Sequence, residues 1–251
     1  MSFTAYNNAT NHNNDVLAAR LAAAGSLEER IVLVGDSTKG RIAFSTSLGL
    51  EDQAILHAIA ATQVPVDIFT LDTGRLFPET LDTIAASEKR YGLKIRVIAP
   101  DSISIENLLA RDGVHGFRFS VVARKSCCEV RKIEPLRRAL AGASSWVTGL
   151  RREQSNGRAD VPFTSRDFDL GVLKINPLAD WSLARLKTYI RDNEVPANAL
   201  HARGYPSIGC QPCTRAVLPG EDIRSGRWWW ESPDHKECGL HTRPRPAEAA
   251  E

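Results

Sequence analysis

The 251-residue chain is short of several things: one methionine, aromatics at 7%, and almost no excess of either charge sign, with 32 Lys+Arg against 30 Asp+Glu. The missing basic surplus argues against a dedicated binder of nucleic acid or membrane surfaces. No apolar run approaches the ~18–20 residues that span a bilayer. The opening stretch, MSFTAYNNATNHNND, lacks the charged start and apolar core of a signal peptide. A cytoplasmic protein is therefore expected. Neither a Walker loop nor a Gly-x-Gly-x-x-Gly fingerprint is found, which argues against a P-loop Mg-ATPase. Cysteines number five. In a reducing compartment such cysteines are metal-binding or catalytic more often than disulfide-bonded. What is present is an ordinary globular composition, 43% apolar and 25% charged, in a chain long enough to bury a core without disulfide staples.

Residues 1–14 are Asn-rich and polar and are expected to be poorly ordered, with a weak helix following around Val16–Ala24. A regular alternation then begins. Strands are expected at Ile42–Ser45, Val66–Leu71, Lys94–Ala99, Ser145–Thr148 and Val172–Ile175. Helices are expected at Glu51–Ala61, Glu79–Tyr91, Ile105–Arg111 and Trp181–Asn193. This alternation implies an α/β fold, an open parallel sheet with helices on both faces. After about residue 200 the chain turns rich in Gly, Pro, Cys, Trp and Arg and loses periodicity. The expected division is a nucleotide-binding α/β unit over 15–200 and a C-terminal segment over 201–251 that needs a metal site or packing on the main unit to be ordered.

Three turns lie where ligands bind in such sheets, beyond the carboxyl ends of strands. The first, Ser45-Thr46-Ser47-Leu48-Gly49-Leu50-Glu51-Asp52, runs from a strand into a helix. Its hydroxyls and the backbone N–H groups of Ser45, Ser47 and Gly49 suit phosphate or sulfate oxygens, with Glu51 and Asp52 opening the helix. An ordinary strand–helix turn capped by Ser and Asp is the plain alternative. The second places Asp72, Thr73 and Arg75 around Gly74, or is simply a turn before Pro78. The third, Gly149-Leu150-Arg151-Arg152-Glu153-Gln154-Ser155, offers planar guanidinium donors to an oxyanion through its arginines, Arg151 foremost, against the plain alternative of a solvated charge run, which is expected to hold for one of the two.

The cysteines carry more. Cys127-Cys128 form a tandem pair and Cys210-Gln-Pro-Cys213 a second pair. Zinc sites space their cysteines by two to four residues so that both reach one ion. A tandem pair suits a 4Fe-4S cluster, whose ligand positions spread over several ångströms. Buried structural thiols or a strained adjacent disulfide would leave the second pair unexplained. Ser126-Cys127-Cys128-Glu129 has the form of a capping box, which predicts both cysteines in a helix's first turn, where the dipole favours anionic sulfur. Lys132 would share their face. Cys238, in Lys236-Glu237-Cys238-Gly239-Leu240-His241, is left over. Its basic neighbours favour a thiolate nucleophile, against the plain reading of an incidental surface thiol. Arg224 and Arg227 precede Trp228-Trp229-Trp230. Packing of these rings onto the main unit is favoured over base stacking.

Together these residues resemble the assimilatory phosphosulfate reductases, and more closely their iron–sulfur adenylyl-sulfate reductases. The resemblance covers roughly residues 40–241. It rests on Cys127-Cys128-x-x-Arg131-Lys132, on Gly204-Tyr205-Pro206-Ser207-Ile208-Gly209-Cys210-Gln211-Pro212-Cys213-Thr214, and on Glu237-Cys238-Gly239-Leu240-His241. It implies an adenine-nucleotide α-hydrolase-like fold. The Ser45–Asp52 loop departs from the Ser-Gly-Gly-x-Asp-Ser form of the related ATP pyrophosphatases, which speaks against that activity. The implied reaction is thioredoxin-dependent reduction of adenylyl sulfate to sulfite and AMP through an S-sulfocysteine on Cys238. One 4Fe-4S cluster per subunit would be held by Cys127, Cys128, Cys210 and Cys213. Catalytic roles are implied for His241, Arg224, Arg227 and Lys132, with a tail that closes for the first step and opens for the second. Adenylyl sulfate is expected to bind through Ser45, Ser47, Gly49, Glu51, Asp52, Asp72, Thr73, Arg75, Gly149 and Arg151. The expected partner is thioredoxin or a similar dithiol donor, with neither nucleic acid nor membrane, and the chain is expected to form a homo-oligomer. The alternatives are the 3′-phosphorylated substrate, a cluster-bearing tRNA sulfur transferase, or a zinc-stabilised interaction module.

Overall fold

The computed structural model describes residues 14–232. Six strands form one sheet in the order β3-β2-β1-β4-β6-β5. They are β1 (Ile42–Ser45), β2 (Val66–Leu71), β3 (Arg96–Ile98), β4 (Ser145–Val147), β5 (Thr164–Asp167) and β6 (Val172–Ile175). Five strands run parallel, with Ile42 opposite Val66 on one side and Ser145 on the other. Only β5 is antiparallel, pairing with β6 at the edge. The chain moves outward from β1 to β3, then returns to build the other half from β4. The crevice between the carboxyl ends of β1 and β4 is therefore the switch point where ligands bind in open α/β sheets.

Alternation along β1 buries both faces. Ile42 and Phe44 enter the larger core with α1 (14–23), α2 (Leu27–Ser37), α3 (Leu50–Thr62) and α8 (Leu183–Asp192). Ala43 enters the smaller one with Phe69, Trp146 and Val172, packed on Leu136, Ala139 and Leu140 of α7 (Glu134–Leu140). Each large apolar side chain so buried contributes about 1.5–3 kcal/mol. The remaining helices are α4 (Pro78–Tyr91), α5 (Ser102–Asp112) and α6 (Val121–Cys128). Among the described residues, no helix is long and apolar enough to cross a membrane.

One expectation fails. The capping box at Ser126 does not start a helix: α6 begins at Val121 with Ser120 as its N-cap, donor Ala123 N at 3.0 Å. Ser126 Oγ instead accepts from Arg111 Nη2 at 2.7 Å. Cys127 and Cys128 thus close α6 rather than open it, and the rod continues through a π-helical turn, Glu129–Ile133, into α7. Because the backbone stays helical through this turn, neither cysteine meets a helix terminus, and the stabilisation of a thiolate there must come from side chains. A real capping box was overlooked: Ser26 and Glu29 satisfy each other's backbone N–H groups and start α2.

Candidate active site

The loops after β1, β2 and β4 enclose a cleft of about 250 Å³. Its floor is hydroxylic: Ser45, Thr46, Ser47, Thr70, Thr73 and Thr148. After β1 the chain turns sharply at Leu48, a fully buried residue held at φ 62°. This left-handed residue, braced by Thr46 Oγ1 accepting from its N–H at 3.0 Å, aims the start of α3 at the cleft. Gly49 caps α3 without any side-chain bond. Asp52 reaches back, and its Oδ2 accepts from both the N–H and the Oγ of Ser47, each at 2.6 Å. Burial pushes its carboxyl up to about 6, with the Ser47 bonds pulling the other way and the Glu51 charge adding to the rise. Gly149 is required opposite: a Cβ there would collide with Asp52 Oδ1 and sit 2.9 Å from Glu51 Cβ.

The residues after α8 fold over the open side of this cleft. Leu200 and Asn198 seat a short turn, and Gly209 follows against the Arg227 guanidinium, leaving no room for a side chain. An antiparallel bridge joins Thr214 to Arg227, Arg215 N donates to Gly226 O at 3.0 Å, and Trp228 N donates to Cys213 O at 3.1 Å. Gln211 N donates to Arg75 O at 2.8 Å, fixing this ribbon to the loop after β2. Arg224 and Arg227 thereby line the cleft with Lys132 and Arg158.

A second, smaller cavity adjoins the first. Cys127, Cys128, Cys210 and Cys213 all line it, and all four are free thiols. Around them stand five cations: Arg75, Arg124, Arg131, Lys132 and Arg227. Lys132, Cys210, Arg227 and Trp228 line both cavities, so the two share a wall. Burial raises the Cys127 thiol against the pull of Arg131 and Arg75. Burial pushes Cys213 up to about 12, with the neighbouring Cys210 and Cys128 charges adding to it. Cys210 goes the other way: burial opposes ionisation, but Lys132, the Thr73 hydroxyl at 3.2 Å, Arg227 and Arg131 together lower it. Among the described residues no three His, Cys, Asp or Glu side chains close around a single ion. The fold instead brings four sulfurs to the wall of one cavity inside a positive shell. That donor set fits a polynuclear, negatively charged iron–sulfur group better than one tetrahedral zinc ion.

Of the expected substrate residues, Ser45, Ser47, Gly49, Glu51, Asp52, Thr73 and Gly149 line the cleft. Three do not. Asp72 spends its Oδ1 on Gly74 N at 2.8 Å. Arg75 lines the cysteine cavity, stacked 5.0 Å over Phe117. Arg151 is 1% exposed, and its Nη2 binds Glu51 Oε1 at 2.9 Å while its Nη1 donates to Trp181 O. It braces the cleft wall from behind. Cys238 and His241 lie outside the described residues. Sequence reasoning missed Arg158, Gln154, Trp146 and His201 as lining groups. Trp146 sits on β4 and Gln154 just past the Arg151-Arg152 pair, whereas the placement of Arg158 and His201 depends on how the loop after β4 and the turn after α8 fold back, which the sequence does not signal.

Residues 41–216 match the model of the phosphoadenosine phosphosulfate reductase domain. The chain belongs to that family. Among curated relatives, the adenosine 5′-phosphosulfate reductase of Allochromatium vinosum is 52% identical over 231 residues, 92% of this chain and 89% of that protein. The enzyme of the same name from Agrobacterium fabrum is 48% identical over 93% of this chain and 90% of its own length. The crystal structure of phosphoadenylyl-sulfate reductase from Candida auris, a phosphate complex, superposes with a TM-score of 0.68 at 29% identity, covering 81% of this chain and 95% of that one. The family's sheet is the one described above, so the expected fold and family both hold.

Proposed function

We propose that this protein is an oxidoreductase that reduces adenylyl sulfate to sulfite and AMP. The observation that carries the reading is the shared wall, where Lys132 and Arg227 face both a nucleotide-sized cleft and the four-cysteine cavity. Support comes from relatives near 50% identity that are named for this activity and match over most of their length.

Adenylyl sulfate is a mixed phosphoric–sulfuric anhydride. Its nucleotide end suits the hydroxylic floor, and its sulfate end suits the cations of the shared wall. The Cys238 thiolate attacks sulfur, the sulfur–oxygen bond to phosphate breaks, and AMP leaves with that electron pair. An S-sulfocysteine remains. Lys132, Arg224 and Arg227 neutralise the transferring group and the departing phosphate, as preorganised charge does in a site that excludes water. Lys236 and His241 flank Cys238 in the chain and can favour its thiolate form. A dithiol protein such as thioredoxin then attacks the Cys238 sulfur and releases sulfite. Its second thiol resolves the mixed disulfide, so the reductant leaves oxidised by two electrons. A 4Fe-4S cluster on Cys127, Cys128, Cys210 and Cys213 would supply a compact charged body that orders and polarises the site. We place the reaction in the cytoplasm, as part of assimilatory sulfate reduction.

The test is incubation of anaerobically purified protein with adenylyl [35S]sulfate and no reductant. Wild type is expected to take up covalent label, and Cys238→Ser none. Equal labelling of both would overturn the nucleophile assignment.

A further inference from the structure

The last described stretch is pinned by contacts that the reaction itself does not require. Glu231 forms a two-point ion pair with Arg124: Oε1 accepts from Nε at 2.9 Å and Oε2 from Nη2 at 2.8 Å. Both side chains are almost fully buried, at 1% and 4% exposure. Trp228 lies between two guanidiniums, Arg124 at 4.4 Å and Arg227 at 4.7 Å from its ring centre. Its backbone is held at φ 42°, a conformation a bulky side chain adopts only when its surroundings enforce it. Glu231 N donates to Trp228 O at 2.8 Å, closing a turn that presents the carboxylate to Arg124. The same Arg124 hydrogen-bonds the Cys128 sulfur from within α6.

Desolvating two charges is expensive, and a buried pair is weak evidence for stability alone. What this pair does geometrically is specific. It ties the arm of the ribbon that leaves Cys213 to the helix that bears Cys127 and Cys128, across the cavity between them. It also sets the point from which the remaining chain departs. Cys238 follows Glu231 by seven residues, a reach of at most about 25 Å.

We infer that Glu231, acting through Arg124, is a positioning residue that fixes the root of the C-terminal segment against α6 and so limits where the Cys238 thiol can be delivered. The inference rests on the reaction proposed above, because positioning matters only if Cys238 is the attacking group. Neither Glu231 nor Arg124 lines the nucleotide cleft. Their loss should therefore act on the rate of attack and leave nucleotide affinity alone.

The experiment compares wild type with the near-isosteric Glu231→Gln and the charge-retaining Glu231→Asp, each purified anaerobically. Three quantities are read: the single-turnover rate of label transfer from adenylyl [35S]sulfate, the Kd for AMP, and hydrogen exchange of the peptide covering 226–232. Glu231→Gln is expected to slow label transfer by roughly threefold to tenfold, the entropic cost of a longer untethered segment ahead of Cys238. AMP affinity should stay within about twofold, and iron content and visible absorption should match wild type. Exchange at the Trp228 and Glu231 amides should accelerate by about tenfold or more. Glu231→Asp should recover part of the rate. Wild-type label transfer in Glu231→Gln, unchanged exchange, or a loss of AMP affinity or iron parallel to the loss of rate would each overturn the assignment. Absence of label in wild type itself would sink the reaction, and the positioning claim with it, whatever the exchange data show.

Discussion

The two ends of the cleft are made of opposite materials. At the sheet end, short hydroxyl side chains come from the strand ends and the loops beyond them, the acids Glu51 and Asp52 come from the first turn of α3, and Glu51 is neutralised from behind by buried Arg151. At the other end, five cations surround four thiols, and most of them sit on helix α6, the π-helical turn and the ribbon beyond α8. The first end can recognise a neutral, polar nucleoside. The second can hold concentrated negative charge, both that of a sulfate and that of thiolate sulfur. Under the proposed function, the difference would orient a substrate that is itself lopsided, with adenosine at one end and an anhydride at the other.

The sharpest way to break this contrast is to remove one sulfur. Cys128→Ser should lose the bulk of its iron and acid-labile sulfide and nearly all turnover, because three ligands leave a buried position open to exchange. Metal analysis with activity assays checks it, and full iron content in this variant would remove Cys128 from the ligand set. Next in size is the brace at the sheet end. Arg151→Ala strands the Glu51 carboxylate against the cleft wall and should cost about 3–5 kcal/mol in denaturant unfolding. Its neighbour Arg152 is exposed but donates from Nε to Val161 O at 3.0 Å and lies over the Phe163 ring, and Arg152→Ala should cost only about 0.5–1.5 kcal/mol. Similar costs for the two would deny the brace.

Asp52 tests the sheet end by pH. Its folded pKa of about 6 lies above the ordinary 3.8, so the folded state binds the proton more tightly than the unfolded chain does. The stabilisation this provides is complete below pH 3.8 and disappears as pH rises through about 6. The whole swing is roughly 3 kcal/mol at 1.36 kcal/mol per unit. Asp52→Asn, whose side-chain oxygen can still accept from Ser47, should flatten that part of the stability–pH curve. Thermal unfolding from pH 4 to 8 measures it, and an unchanged slope would locate the titration elsewhere.

The same contrast explains what could be read from the sequence. The strands β1, β2, β4 and β6 announce themselves by apolar runs between turn residues, and the ligand crevice follows from their parallel order. The cysteine set was legible because its chemistry is rare. The orientation of α6 was not: Ser126-x-x-Glu129 reads as a helix start only if no helix precedes it, and Ser120 already caps one. The roles of Arg75 and Arg151 were illegible for another reason. A guanidinium beyond a strand end looks the same in sequence whether it meets a ligand, a buried glutamate or an aromatic ring, and only the fold supplies Glu51 and Phe117 as partners. β5 escaped notice because Thr164-Ser165-Arg166-Asp167 has no buried face to impose a pattern.

Lys132 stands on the wall between the two ends, and the proposed function assigns it the sulfate end of the substrate. Equilibrium affinities of Lys132→Ala for adenylyl sulfate and for AMP, measured side by side, test that most directly. If the sulfate lies toward the cysteines, adenylyl sulfate should weaken by about tenfold, the ~1.4 kcal/mol of one charge-assisted contact, and AMP by less than about twofold. Equal weakening of both ligands, or of AMP alone, would put the phosphate rather than the sulfate at Lys132 and contradict the account.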